Sequence, residues 1–185
     1  SVTFNPQKWC YVAKTCATLL LADRTVLSES FRIGAPYVDR GGTPNLGELT
    51  VQGTRHADVL KCWLTLGHLG RRGIEQLVEE SYRLTDRLVA GIEERESLEL
   101  ASTPETNIVC FRATPGNGTD PDAHNAGVRE HLLREHEVYL SLPTYRGSKW
   151  LRAVLLNPHT DEAVIDRLLD GVDDFLAEDR EETDR

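Results

Sequence analysis

The segment SVTFNPQKWCYVAKTCATLLLAD, residues 1–23, places a lysine in a turn between two apolar runs. Residues 1–4 alternate polar and apolar side chains and predict the end of a strand, and Asn5-Pro6 predicts a turn. The apolar run at residues 16–22 predicts a short buried strand. Lys8 lies beside Trp9, and a lysine near buried surface either extends its ammonium group to water or is chemically occupied. The remaining sequence bears on which of these applies to Lys8.

Composition and charge exclude several classes of protein. The 185 residues carry a net charge of -9, which argues against nucleic-acid binding and against docking on anionic membranes. No apolar run approaches the roughly 18 residues of a membrane span, and the N-terminal pattern is not that of a secretory signal. The four cysteines (Cys10, Cys16, Cys62 and Cys110) form no CxxC pair. We therefore expect a cytoplasmic protein with reduced thiols.

The middle of the chain predicts a loop followed by two helices. Residues 28–55 lack periodicity and contain a cluster of glycines, which predicts a long loop that serves as a lid or a connection. Residues 56–69 and 73–96 have apolar side chains at helical spacing, and glycines separate the two helices.

The end of the chain predicts a small α/β sandwich over residues 97–178 with the order β-β-α-β-β-α. The predicted elements are strands 97–101 and 107–113, helix 123–136, strands 138–142 and 149–155 joined by a hairpin through Gly147, and helix 160–177. Thr160 is the predicted N-cap of the last helix. Residues 179–185 are expected to form a solvated charged tail.

Five segments in order resemble the group II pyridoxal-phosphate amino-acid decarboxylases, a family that includes glutamate, aromatic amino-acid and diaminobutyrate decarboxylases. The segments are NPQKW (5–9), FRIGAPYVDR (31–40), TRHADVLKCWLTL (54–66), NIVCFR (107–112) and KWLRAVLLNPHT (149–160). They cover essentially the whole chain but only the second half of a family member. The resemblance implies the C-terminal part of a fold-type I fold: the end of the large domain (1–55), connecting helices (56–96), a small α/β domain (97–178) and a tail (179–185).

The resemblance also implies roles for five residues. Lys8 would hold the cofactor, pyridoxal 5'-phosphate, in Schiff-base linkage. Gln7, where the family usually has histidine, would contact the cofactor's phosphate, to which an amide can still donate a hydrogen bond. Tyr37 would be the proton donor of the lid, and Thr54 would lie near the phosphate of the neighbouring subunit. Arg152 would meet the α-carboxylate of the substrate, since its planar fork suits a carboxylate.

Each role has a simpler alternative. Lys8 could be a solvated surface lysine, Tyr37 a packing residue, Thr54 a helix N-cap, and Arg152 half of an internal salt bridge. His124, His131 and His136 are spaced by seven and five residues, which does not place them on one metal-binding face. We therefore predict no metal site.

The predicted function is decarboxylation of an L-amino acid to its amine and CO2. The alternatives are another pyridoxal-phosphate reaction, by an amino-acid lyase or an aldehyde-forming oxidase, and a non-catalytic binding or regulatory subunit. By the resemblance, the aspartate that pairs with the ring nitrogen and the aromatic residue that stacks on the ring belong to the family's first half. We therefore expect a partner, the N-terminal half of the decarboxylase as a separate or cleaved chain, and a dimer of complete units.

Overall fold

The computed structural model describes residues 1–31, 46–54, 56–116 and 118–183. The chain divides into two units, Ser1–Ile74 and Glu75–Arg185. In the first unit, strand β1 (Val2–Phe4) pairs antiparallel with strand β2 (Thr18–Leu20), so that Val2 lies opposite Leu20. The two predicted strands that flank the turn are present and form a two-stranded ribbon. The prediction that the second strand is buried is wrong, because Leu19 and Leu20 are more than half exposed.

Two short helices follow the ribbon. Helix α1 spans Thr25–Phe31 and extends into the region predicted to be irregular, and a 3-10 helix spans Leu46–Glu48. The carboxylate of Asp23 accepts hydrogen bonds of 2.8 Å from the backbone N–H and the hydroxyl of Thr25, which fixes the start of α1.

Helix α2 spans Asp58–Glu93 and is interrupted at Gly70. The backbone of Gly70 has φ 60° and ψ -177°, a conformation that is accessible almost only to glycine. The sequence prediction of two helices separated by glycines is therefore confirmed. The part of α2 before the break lies in the first unit, and residues 75–93 lie in the second unit.

The second unit contains a three-stranded antiparallel sheet with the strand order β3-β4-β7. Its strands are β3 (Leu98–Leu100), β4 (Ile108–Ala113) and β7 (Leu151–Val154). A small hairpin of β5 (Thr144–Tyr145) and β6 (Ser148–Lys149) turns through Gly147, which has φ 83°. Along β4, Val109, Phe111 and Ala113 are fully buried and alternate with the less buried residues of the opposite face.

Helices cover the apolar face of this sheet. They are α3 (Pro121–Glu135), α4 (Glu162–Thr183) and the second part of α2. Ion pairs join α4 to α2 and to the residues that follow α2, including Arg87–Asp166 at 2.5 Å and Arg95–Asp173 at 2.9 Å. The shared core consists of side chains from all of these elements: Leu84, Leu88, Ile92, Leu98, Val109, Phe111, Ala113, Val128, Leu132, Val138, Leu140, Leu151, Ala153, Leu155, Ile165, Leu168, Leu169, Val172 and Leu176.

Three local predictions in the second unit were wrong. Residues 138–142 form no strand, because only Ser141 pairs with the sheet, through an isolated bridge to Arg152. Val138 and Leu140 are buried nevertheless, so the alternation in this segment reflects burial rather than a strand ladder. Helix α4 begins at Glu162 rather than at Thr160, and the carboxylate of Asp161 accepts a hydrogen bond of 3.1 Å from the backbone N–H of Val164. The helix also continues to Thr183, into the predicted tail.

Candidate active site

Lys8 lies in a tight turn that follows β1. The backbone N–H of Lys8 donates to the carbonyl of Asn5 at 3.1 Å, and its carbonyl accepts from the N–H of Tyr11 at 3.0 Å. Tyr11 has φ 54°, a left-handed conformation that ends the turn. The Lys8 side chain is exposed, and its ammonium group forms no hydrogen bond or ion pair with the residues that the structure describes. The turn therefore fixes the backbone of Lys8 and leaves its amine free.

Gln7 connects the two ends of this turn region. Its side-chain carbonyl Oε1 accepts a hydrogen bond of 2.9 Å from the backbone N–H of Cys16. Pro6, Val12 and Cys16 are buried beside this contact and form a small apolar base for the turn. Gln7, which immediately precedes Lys8, is therefore hydrogen-bonded to the segment that leads into β2.

Thr54 lies in the chain segment that approaches α2. It is exposed, and its hydroxyl has no hydrogen-bond partner among residues 1–31, 46–54, 56–116 and 118–183. Because α2 begins at Asp58, Thr54 is not the N-cap of this helix, and that alternative is wrong. The Cys16 Sγ lies 4.0 Å from the carbonyl oxygen of Asp58, and Lys61 Nζ donates to the carbonyl of Thr15 at 2.7 Å. The start of α2 therefore packs on the same segment that Gln7 contacts.

Tyr37 and residues 38–45 of the predicted lid lie outside the described residues, so the role of Tyr37 stays a prediction.

Cys10, two residues after Lys8, is a free thiol. Burial raises the pKa of the Cys10 thiol, and the neighbouring Cys62 raises it further. This thiol is therefore neutral at ordinary pH, as expected for a small apolar residue beside the lysine turn.

Arg152 lies in the second unit, on the face of the sheet that the helices do not cover. It is directly opposite Cys110 on β4, and its backbone is held by Ser141, whose carbonyl accepts from the Arg152 N–H at 2.8 Å. Burial raises the pKa of the Cys110 thiol, and the positive charge of Arg152 opposes that shift, which indicates that the two side chains are close. The half-buried Arg152 forms no ion pair with a carboxylate of the described residues. The alternative of an internal salt bridge has no support there.

Arg112 on the adjacent strand provides a contrast on the same face. It forms an ion pair with Glu99, which lies opposite it on β3, and its guanidinium carbon lies 4.5 Å from the centre of the Trp150 ring. Arg112 is therefore neutralised by a carboxylate and stacked on an aromatic ring. Sequence reasoning did not identify this pair, although the alternation along β4 places Arg112 and Cys110 on one face.

His124, His131 and His136 lie between α3 and α4. Each is near a different carboxylate of α4: His124 Nδ1 is 3.7 Å from Asp179 Oδ2, His131 Nδ1 is 3.8 Å from Glu178 Oε2, and His136 Nε2 is 3.5 Å from Asp174 Oδ2. No group of three or more metal-ligating side chains occurs in the described part of the chain.

No helix in the described part of the chain has the length and apolar character needed to cross a membrane.

The sequence profile of the pyridoxal-dependent decarboxylase conserved domain matches residues 1–114. The chain belongs to this family, and the resemblance stated from its motifs is confirmed.

The similarity to individual relatives extends over nearly the whole chain. L-2,4-diaminobutyrate decarboxylase of Rhizobium meliloti is 28% identical over 96% of this chain, and cysteine sulfinic acid decarboxylase of Mus musculus is 29% identical over 91% of it. The chain spans only 37% and 38% of the length of these two relatives.

Solved structures agree on the fold. The crystal structure of mouse CSAD in apo form has a TM-score of 0.79 at 27% identity, and the match covers 94% of this chain and 39% of that one. The structure of Oryza sativa TDC with PLP and tryptamine has a TM-score of 0.87 at 19% identity, with coverages of 95% and 38%. The predicted fold, part of a fold-type I decarboxylase, is confirmed.

Proposed function

We propose that this chain supplies the cofactor lysine and a substrate-binding arginine of a pyridoxal-phosphate-dependent L-amino-acid decarboxylase. The observation that carries the proposal is the free amine of Lys8 in its hydrogen-bonded turn, within the region that matches the family. Gln7 beside Lys8 fits the cofactor, because its Nε2 is a donor without a partner in the described parts of the chain. When bound, pyridoxal phosphate supplies an electron sink for the pair released as CO2 leaves the substrate.

The residues of this chain divide the remaining tasks. Lys8 Nζ holds the cofactor, and Gln7 donates to an oxygen of its phosphate. Thr54 donates to the phosphate held by the neighbouring subunit. Arg152 binds the substrate's α-carboxylate through its guanidinium and so orients the bond that breaks. Tyr37 donates the proton at the α-carbon after CO2 leaves. By the family resemblance, a tyrosine at position 37 favours decarboxylation over aldehyde-forming oxidation.

We further propose that the first unit functions against a second polypeptide segment equivalent to the remainder of the longer relatives, in a dimer of complete units. Its apolar side chains are exposed on both the ribbon and the first part of α2, where Val59 is 74% and Trp63 is 70% exposed. Exposed apolar patches of this kind mark surfaces that another chain segment covers. The free thiols of the four cysteines support a cytoplasmic location.

The cofactor role of Lys8 is tested by reduction with borohydride, which converts a Schiff base into a stable amine. The protein as purified, with any polypeptide that copurifies, is supplied with pyridoxal phosphate, reduced, and examined by intact-mass and peptide mass spectrometry. We expect one phosphopyridoxyl group at Lys8, no label there in Lys8→Arg, and an unchanged label at Lys8 in the control Lys14→Arg. An unmodified Lys8 would contradict the enzyme proposal and favour the non-catalytic subunit.

The role of Arg152 is tested against Arg112, its neighbour on the same face. Arg152→Ala should lower kcat/KM for CO2 release by about 10- to 100-fold, as for the loss of a charged hydrogen-bonded pair. Arg112→Ala removes a charge of the same sign that Glu99 already neutralises, so it should reduce stability and leave kcat/KM nearly unchanged. Equal losses of kcat/KM in the two variants would exclude a specific carboxylate contact for Arg152.

A further inference from the structure

We infer that Gln7 is a positioning residue for Lys8: its carbonyl closes the loop that carries the lysine, and this closure leaves its amide nitrogen as the donor toward the cofactor's phosphate. The inference rests on the proposed function, because it assigns how the chain presents the cofactor lysine. It goes beyond a phosphate contact, since it gives the two ends of one side chain separate tasks.

The first task is closure of the loop. The Gln7 carbonyl accepts from the N–H of Cys16, nine residues further along the chain, at 2.9 Å. Inside this loop, the N–H of Val12 donates to the carbonyl of Pro6 at 3.2 Å, and Lys8 is hydrogen-bonded through both its N–H and its carbonyl. A side chain that ties the loop ends removes conformations in which the lysine turn would open. The backbone from which the lysine amine extends is therefore held in one conformation.

The second task follows from the chemistry of the amide. A backbone N–H can only donate, so the atom of Gln7 that faces Cys16 must be the carbonyl oxygen. The amide nitrogen is then left over, and it has no hydrogen-bond partner among the described residues. Because Nε2 can only donate, the ligand that suits it is an acceptor such as a phosphate oxygen. A glutamate at this position would keep the acceptor for Cys16 but would lose the donor and add a negative charge.

This difference allows the two tasks to be separated by experiment. The protein as purified, with any copurifying polypeptide, is incubated with pyridoxal phosphate or with pyridoxal, reduced with borohydride, and its occupancy at Lys8 is measured by peptide mass spectrometry. Lys14, Lys61 and Lys149 serve as internal controls for non-specific labelling. Amide hydrogen exchange of the peptide that contains Cys16 reports the closure of the loop without reference to activity.

We expect Gln7→Leu, which has neither an acceptor nor a donor, to reduce labelling of Lys8 by both aldehydes about fivefold and to accelerate exchange at Cys16 by a similar factor, as for the loss of one hydrogen bond. Gln7→Glu, which is nearly isosteric, should leave exchange at Cys16 and labelling by pyridoxal unchanged. It should reduce labelling by pyridoxal phosphate by at least about fivefold.

The possible failures are distinct. If Lys8 is not labelled in the unaltered protein, the proposed function is wrong. If Lys8 is labelled normally but Gln7→Leu matches the unaltered protein in labelling and in exchange, the positioning role of Gln7 is overturned while the cofactor role of Lys8 remains. If Gln7→Glu labels equally with both aldehydes, the assignment of the amide nitrogen to the phosphate is overturned.

Discussion

In the second unit Phe111, Leu88 and Val172 are fully buried, whereas in the first unit Trp63 and Val59 are more than two-thirds exposed. The second unit closes a core between one sheet and three helices. Among its described residues, the first unit buries only Pro6, Val12 and Cys16, which lie beside the lysine turn. The arginine-bearing unit therefore has a core of its own, whereas the lysine-bearing unit leaves large apolar side chains exposed.

The largest effect is expected from removing a core aromatic ring. Phe111→Ala should reduce the free energy of unfolding by about 3–5 kcal/mol, because it leaves a cavity in a fully buried site. Trp63→Ala should change that free energy by less than about 0.5 kcal/mol in the chain alone, since its ring is exposed. Urea denaturation of both variants measures the two values. A large loss from Trp63→Ala in the chain alone would show that the first unit has a core of its own.

The next effect concerns two helical glycines. A Cβ at Gly171 would lie 2.8 Å from the ring of His136 and from Leu132 Cδ2, so Gly171→Ala should destabilise the second unit by about 1–3 kcal/mol. Gly67 in the first unit has no atom within 4 Å of such a Cβ, and Gly67→Ala should stabilise its helix by about 0.5–1 kcal/mol. Thermal unfolding of the pair tests this. A shift of the same sign in both variants would contradict the packing difference.

A smaller effect is expected at the start of α4. Asp161→Ala removes the side chain that accepts from the Val164 N–H and should cost about 1 kcal/mol of unfolding free energy. Thr160→Ala is the matched control and should stay within about 0.5 kcal/mol, because Thr160 does not cap the helix. Chemical denaturation of the two variants measures the difference in unfolding free energy. A larger loss of unfolding free energy in Thr160→Ala than in Asp161→Ala would show that Thr160 is the N-cap, as the sequence predicted.

The stability of the second unit should depend on pH through His124. Burial lowers the pKa of His124, an effect that Asp179 partly opposes, and His124 Nε2 is buried without a hydrogen-bond partner in the described residues. The unfolded chain, with a histidine pKa of about 6.5, therefore binds the proton more readily than the folded chain. Stability is full above that pH and falls as the pH decreases from there toward the folded-state pKa.

The measurement is unfolding as a function of pH between neutral and mildly acidic conditions. His124→Gln should flatten the dependence, and His68→Gln, which changes an exposed histidine of the first unit, should leave it unaltered. An unchanged profile in His124→Gln would show that His124 does not cause the acid sensitivity.

The sequence predicted the features that depend on local pattern. Periodicity predicted the two helices separated by glycines and the strands β3, β4 and β7. Asn5-Pro6 predicted the turn around Lys8. It did not predict α1, although Asp23 two residues before Thr25 is a helix-start pattern that could have identified it. Residues 138–142 misled the strand prediction, because an alternating segment can bury apolar side chains without pairing.

The candidate site was predicted through a family resemblance rather than through physical pattern. Motifs identified four site residues: Lys8, Gln7, Thr54 and Arg152. The hydrogen bond from Cys16 to Gln7 joins residues nine apart, and no periodic pattern in the sequence predicts it. Arg112 forms an ion pair, whereas Arg152 forms none with the residues that the structure describes, and this difference depends on the register between strands. Contacts of this kind cannot be predicted from the sequence pattern, because the pattern specifies which face of an element a residue occupies and not the residue that it contacts.

The interruption of α2 at Gly70 has a consequence for how the molecule opens. A helix transmits order along its ladder of backbone hydrogen bonds, and the non-helical backbone at Gly70 breaks that ladder a few residues before the boundary at Ile74. Fraying that begins near Asp58 therefore stops at the break instead of spreading toward Leu84 and Leu88. We therefore expect the two parts of α2 to unfold separately, so that amide protection rises in one step after Gly70 rather than gradually.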